Sequence, residues 1–367
     1  MAFDTELLAD KIMEMLTISE GQVIWIWAST SSQELIDALA YRIRAKGAFW
    51  IVRLISEKLL KRMGQDAPEE YLSIIPDHEL GWLKDVNAII EIQDHSGHIP
   101  DVSLIRRRAM ATEWIALIDE AQKQGCRRIK VLNPTPALAT AYAMELETLN
   151  HLYTQAINVD FSMLGAWQNL VSEYLSRSNR ILITSDLGTD LHLEIGKRPV
   201  LQDRDDLPCG EVYVAPHEQS ANGILVVDKL FVKGKPIEKL RLAFTNGKVT
   251  QIEGTNITDS EALKELLSVS SGDKDVIAEF AIGLNPGVVE PIGNILFDEK
   301  IGGSIHIAIG MNSHFGGNNK SNLHLDMVVQ FPKVWVDDQL ILENGLLQIG
   351  NDYSSRKRLQ NIHHSKA

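Results

Sequence analysis

Apolar positions in the first half of the chain fall into two alternating textures. The run "GQVIWIWAS" is short, strand-like and ends in small residues, and "AFWIVRLI" reads as a second strand. Between them "SSQELIDALAYRIRAKG" spaces its apolar residues at a helical period, with a serine at its start and a glycine at its stop. "DVNAIIEIQD" and "RRIKVLN" supply further buried strands, and "PALATAYAMELETLNHLYTQAINV" a helical stretch. A strand, helix, strand order builds a parallel sheet with right-handed crossovers. Residues 1–175 are therefore expected to form an α/β domain with a parallel sheet.

From "NRILITSDLGTDLHLEIG" onward, helical periods give way to short strands punctuated by glycine, such as "GILVVDKLFV", "KLRLAFTNGKVTQIEG" and "GGSIHIAIG". The Asn-Gly of "TNGK" marks a tight hairpin, because both residues tolerate positive φ. One helix, "DSEALKELLSVS", intervenes and is expected to be capped by its aspartate. Residues 176–350 thus read as a β-rich α+β domain. Residues 351–367 read as a basic, polar extension whose His363 and His364 lack an apolar setting and are not expected to be ligands.

Composition narrows the function. A chain of 367 residues exceeds one ordinary core, so two domains are expected. The balance of 36 basic and 49 acidic residues, −13 in all, argues against nucleic acid or an anionic membrane as partner. Two cysteines, Cys126 and Cys209, exclude a disulfide scaffold and fit a reducing compartment. The stretch "MAFDTELLADKIMEMLTI" has neither a basic flank nor an unbroken apolar core, so no signal peptide or membrane span is expected and the setting is cytoplasmic. "WASTSSQEL" after the first strand lacks the glycines of a dinucleotide site, and the phosphate-binding lysine loop is missing too.

Candidate chemistry sits in the β-rich half. "SNLHLDMVVQF" places His324 and Asp326 two apart in an apolar run, which in a strand puts both on one face. Glu211 in "LPCGEVYVAP", Glu279 in "VIAEFAIGLNPG" and His306 in "GGSIHIAIG" likewise stand where a strand should be apolar, and "GTDLHLEIG" adds Asp190, His192 and Glu194. A buried carboxylate costs several kcal/mol unless it is paired or binds a metal. Two histidines and three carboxylates are ligands for borderline divalent ions, and five ligands exceed one tetrahedral site.

"CGEVYVAP", "AEFAIGLNP", "SIHIAIG" and "NLHLDMV" resemble, in order and spacing, the motifs of the thermophilic aminopeptidase family of metallopeptidases. The resemblance implies an N-terminal α/β domain, a C-terminal β-rich metal domain and a homodimer. It also implies two Zn²⁺, Co²⁺ or Mn²⁺ ions held by Glu211, Glu279, His306, His324 and Asp326, acting on a small peptide or amide. Glu211 and Glu279 are both candidates to move the proton. The family's tyrosine, seven residues past the first ligand histidine, is missing here: Ser313 stands there, and the adjacent His314 is the candidate replacement. His192 is a candidate to stand behind the ligands. "GLNP" and "GGNNKSNLHLD" are also similar to 2,5-dihydroxypyridine 5,6-dioxygenase, a ring-cleaving Fe(II) enzyme with a histidine where this chain has Glu279 and apolar residues where it has Glu211 and His306. As the alternative, His324, Asp326 and His306 would supply the two histidines and one carboxylate of an Fe(II) triad, while the retained glutamates favour the peptidase-like pair. A metal-stabilised binding protein without catalysis is the third reading.

Overall fold

The computed structural model describes residues 3–94, 102–232 and 235–350. The basic extension 351–367 lies outside the described residues. Two compact units divide the chain: Met1–Ile157 with Asp205–Leu207, and Asn158–Arg204 with Pro208 onward.

In the first unit, β1 (Val23–Ala28), β2 (Phe49–Leu54), β3 (Ala88–Gln93) and β4 (Arg127–Leu132) form a parallel sheet in the order β2-β1-β3-β4. The alternation of strands and helices along this half is what requires parallel pairing. Trp25 and Trp27 of β1 pack with Leu83, Ile89 and Leu117 in its core. The stretch read as one helix from Pro136 is two, Pro136–Ala141 and Leu146–Ile157, because Ala143 takes a left-handed backbone with φ 51°.

The boundary between units falls before residue 175. Helix Phe161–Ser176 belongs to the second unit, where Leu164, Trp167, Val171 and Leu175, three or four apart, bury their shared face.

Among the described residues fourteen further strands follow. They are β5 (Arg180–Thr184), β6 (Asp190–Glu194), β7 (Val200–Gln202), β8 (Asp206–Leu207), β9 (Glu211–Val214), β10 (Asn222–Val232), β11 (Lys235–Thr245), β12 (Lys248–Glu253), β13 (Ile277–Gly283), β14 (Ile305–Gly310), β15 (His324–Val329), β16 (Lys333–Val336), β17 (Gln339–Glu343) and β18 (Leu346–Leu347). Short β8 joins the parallel sheet beside β4, so the chain returns to the first unit for a few residues. The rest form two antiparallel sheets, β12-β11-β10-β6-β5-β16-β17-β18 and β15-β14-β13-β9-β7. Their inner faces share one core, with Ile183, Leu193 and Leu225 from one sheet and Val212, Phe280, Ile307 and Met327 from the other.

Local chemistry explains the joins. Asn246 and Gly247, with φ 50° and 82°, make the β11–β12 turn, and a Cβ on Gly247 would fall on the Glu218 carbonyl oxygen. Helix Ile257–Ser268 starts ahead of the expected aspartate cap: the Asn256 side chain accepts from the Asp259 N–H, leaving Asp259 in the first turn.

Candidate metal centre

The five-stranded sheet of the second unit has two unlike faces. Val212, Phe280, Ile282, Ile307 and Met327 point into the core, so the residues alternating with them point the other way. Those are Glu211 and Tyr213 on β9, Glu279, Ala281 and Gly283 on β13, His306, Ala308 and Gly310 on β14, and His324 and Asp326 on β15. Cross-strand pairing sets each ionisable residue opposite a small one: Glu211 faces Gly283, Glu279 and Asp326 flank Ala308, His306 faces Ala281, and His324 faces Gly310. Alanine and glycine leave the room in which the longer side chains converge.

They converge closely. His306 Nε2 lies 3.3 Å from Glu279 Oε1, 3.7 Å from Glu211 Oε2 and 4.0 Å from Asp326 Oδ1. His324 Nε2 lies 3.1 Å from Asp326 Oδ1 and 3.3 Å from Glu279 Oε2. His324 Nδ1 donates to the Met311 carbonyl at 2.7 Å, which turns Nε2 toward the carboxylates as the nitrogen that a metal ion would take.

Burial and charge act against each other throughout. Burial disfavours charge on His306, but its bond to Glu279 and the charges of Glu211, Glu279 and Asp326 hold it up at about 9. His324 is also held well above its ordinary value: burial opposes, and Asp326 and then Glu279 outweigh it. Burial would raise Asp326, yet His324 and His306 hold it down at about 2. Glu279 sits below the ordinary carboxylate value for the same reason, its two histidine bonds overcoming burial. Glu211 goes the other way: burial and the charge of Glu299 push it well up, against the pull of Lys300 and His306.

Five neighbours, Lys300, Glu299, Asp203, Tyr213 and Phe315, were not singled out from the sequence. Fully buried Lys300 brings its Nζ to 2.7 Å from Glu211 Oε1, 2.7 Å from Glu299 Oε1 and 3.0 Å from Asp203 Oδ2. Its segment crosses directly over β13: a Cβ on Gly283 would lie 2.3 Å from the Ile301 carbonyl oxygen, so only glycine admits it. Tyr213 stands on the ligand face, its phenol pushed up by burial and then by Glu211 and Glu279. Its ring meets Phe315 edge-on at 5.8 Å, and Phe315 in turn meets His324 at 5.7 Å. The signal for Tyr213 was its place two residues after Glu211.

Two other expected residues are exposed to solvent. His314, in the short turn Ser313–Phe315, is exposed. His192 lies on the outward face of β6 beside Asp190, 3.6 Å away, with Glu194 also exposed. That strand alternates because one face meets solvent.

Glu279, His306 and Asp326 offer ligand atoms close enough together to hold a divalent ion. Tetrahedral ligands at about 2.1 Å from an ion sit about 3.4 Å apart. His306 Nε2 lies 3.3 Å from Glu279 Oε1 and 4.0 Å from Asp326 Oδ1, and His324 Nε2 lies 3.3 Å from Glu279 Oε2 and 3.1 Å from Asp326 Oδ1. A second grouping, Glu211, Glu299 and His306, has ligand atoms as close as a metal site needs, but Lys300 is bonded to two of its three members.

Known proteins share this architecture. AmpT from Thermus thermophilus superposes with a TM-score of 0.76 at 18% identity, covering 94% of this chain and 99% of that one. The 2,5-dihydroxypyridine dioxygenase structure from Pseudomonas putida gives a TM-score of 0.66 at 15% identity over 96% of this chain and 98% of that one. The curated 2,5-dihydroxypyridine 5,6-dioxygenase of Pseudomonas putida is 26% identical over 200 residues, 48% of this chain, and the match spans only 56% of that relative's length. Residues 6–340, which reach into both units and include every candidate ligand described above, match the thermophilic metalloprotease family (M29), and the chain belongs to that family.

Proposed function

We propose that this chain is a metal-dependent aminopeptidase that removes N-terminal residues from short peptides. The observation that carries the reading is the convergence of two imidazole nitrogens with the Glu279 and Asp326 carboxylates on one buried sheet face. Those four residues would hold the ion, and their mixed nitrogen and oxygen donors suit Zn²⁺, Co²⁺ or Mn²⁺. A divalent ion supplies Lewis acidity there, acidifying water and polarising a carbonyl.

The remaining roles belong to the chain itself. Glu211 is the candidate proton acceptor: its Oε2 is buried without a hydrogen-bond partner, and its raised pKa brings it toward the range where a base works. Tyr213 takes the part expected of His314, donating its phenolic hydrogen to the oxyanion that develops on the scissile carbonyl. The acidic surplus of Asp203, Glu211, Glu279, Glu299 and Asp326 over Lys300 suits the free α-ammonium of a peptide.

Unblocked amino-acid anilides and short peptides test the reading. Chelation should abolish cleavage, added divalent ion should restore it, and N-acetylated peptides should resist. Metal-loaded protein that cuts acetylated peptides equally well, or cuts none, would refute it. A second reading has its own observation: His306, His324 and Asp326 are the two imidazoles and one carboxylate of an Fe(II) triad. Turnover of a dihydroxylated heteroaromatic with Fe(II) and only in air would favour that enzyme instead. Whether one ion or two binds turns on the residues around Glu211.

A further inference from the structure

We propose that the Lys300 ammonium stands in the place of a second metal ion, so that this centre binds a single divalent ion. The inference deepens the proposed metal-dependent function and rests on the ligand face being a metal site.

Three observations carry it. An ammonium has three N–H donors, and Lys300 Nζ has three carboxylates within 3.0 Å: Glu211, Glu299 and Asp203. It hydrogen-bonds Glu211 and Glu299, and Asp203 adds a third carboxylate charge at 3.0 Å. The lysine is wholly buried, and a Cβ on Gly283 would strike the backbone of Ile301, so strand and crossing segment are already in contact. The ammonium therefore has no contact with water where it stands. Displacing it to admit an ion would strip a buried charge of its partners, which is strongly unfavourable. Finally, the two possible ligand groups, Glu279–His306–Asp326 and Glu211–Glu299–His306, both need His306. An imidazole nitrogen ligates one ion, and His306 Nε2 is closer to Glu279, at 3.3 Å, than to Glu211, at 3.7 Å. Two members of the first group, Glu279 and Asp326, also have His324 Nε2 beside them, at 3.3 and 3.1 Å. The second has lost two carboxylates to Lys300.

Lys300 then acts as a positioning residue. It holds Glu211 by Oε1, while Oε2 is left without a partner on the side of His306. Glu211 is thereby assigned to the lysine and removed from the ligands.

Metal counting on the full chain tests this without substrate. Protein stripped with a chelator is dialysed against excess Mn²⁺, the bound ion is counted by mass spectrometry, and the paramagnetic resonance spectrum is recorded. One equivalent with the signal of isolated Mn²⁺ is expected. Two equivalents, or a spin-coupled pair, would overturn the proposal. Glu211→Gln should keep its one equivalent, and loss of the ion from a folded Glu211→Gln protein would also overturn it. Lys300→Met frees the three carboxylates and should raise the count to two; a folded variant that still binds one would show that lysine is not what bars the second ion. Should that variant fail to fold, the wild-type count and Glu211→Gln still decide. Zero equivalents would remove the metal reading and this inference together. One equivalent without peptide cleavage would remove only the proposed activity.

Discussion

Loading the centre with a divalent ion at pH 7 should release about two protons per ion, because a ligating imidazole must be neutral. His306 is held at about 9 and His324 well above its ordinary value, so both rings carry a proton in the metal-free protein at pH 7. Glu279 and Asp326 lie below the usual carboxylate range and are already ionised, so they release none. For His306 alone, a pKa of about 9 lowers apparent affinity at pH 7 by about 10²-fold, or roughly 2.7 kcal/mol at 1.36 kcal/mol per unit. His324 adds a further penalty of the same sign. Affinity should therefore climb with pH until His306 has lost its proton near 9.

Isothermal titration in two buffers of different ionisation enthalpy reads the proton count directly. A count near zero at pH 7 would refute the reasoning, since it would mean that the rings are neutral before the ion arrives. The same pair of states must appear in stability. A histidine whose folded pKa exceeds its unfolded one stabilises fully below the unfolded value of about 6.5 and loses that contribution as pH rises through the folded value. Metal-free protein should thus lose roughly 3 kcal/mol from His306 between about pH 6.5 and 9. The depressed Glu279 and Asp326 values express the same attractions from the other side and are not added again. Metal-loaded protein, in which the proton has been replaced, should show a flatter profile in thermal melts.

Removing the phenol with Tyr213→Phe should leave metal content unchanged and lower kcat by roughly 10²–10³, the usual loss for one oxyanion donor, while His314→Ala should turn over like the parent. The opposite pattern would return the role to His314. On the core face behind the ligands, Phe280→Ala should cost about 3–5 kcal/mol in urea unfolding. A much smaller loss would show that the two sheets do not pack through that residue.

The sequence could be read where a side chain's role followed from strand periodicity, and failed where it depended on a loop. "IHIAIG" and "DLHLE" both set a histidine into an alternating strand. In the first, the other residues on the histidine's face are Ala308 and Gly310, small and uncharged, and His306 is buried. In the second they are Asp190 and Glu194, and the whole face meets solvent. A lone ionisable group among small neighbours marks a recess, whereas a row of ionisable groups marks a wetted surface. That distinction was available from periodicity and separates His306 from His192. It also explains why Tyr213 could have been found, since it shares the parity of Glu211. The unit boundary was less accessible, because the apolar stripe of helix Phe161–Ser176 says only that it packs, not against which sheet.

Lys300 was beyond such reading. The lysine of "DEKIGG" belongs to no strand, and in isolation a lysine after two acids looks solvated. Its burial follows from a contact distant in sequence: Gly283 has no side chain, so the 299–301 segment can lie on β13 and thread the lysine toward Glu211. Gly283 is also the cross-strand partner of Glu211. One glycine therefore opens the space above Glu211 and admits the residue that fills it. Any larger residue at that position would push away the segment that carries Lys300, and Glu211 would then lose its cation and become available to a metal. The division of labour between ammonium and ion at this centre is set by the backbone crossing, and only secondarily by the ligands.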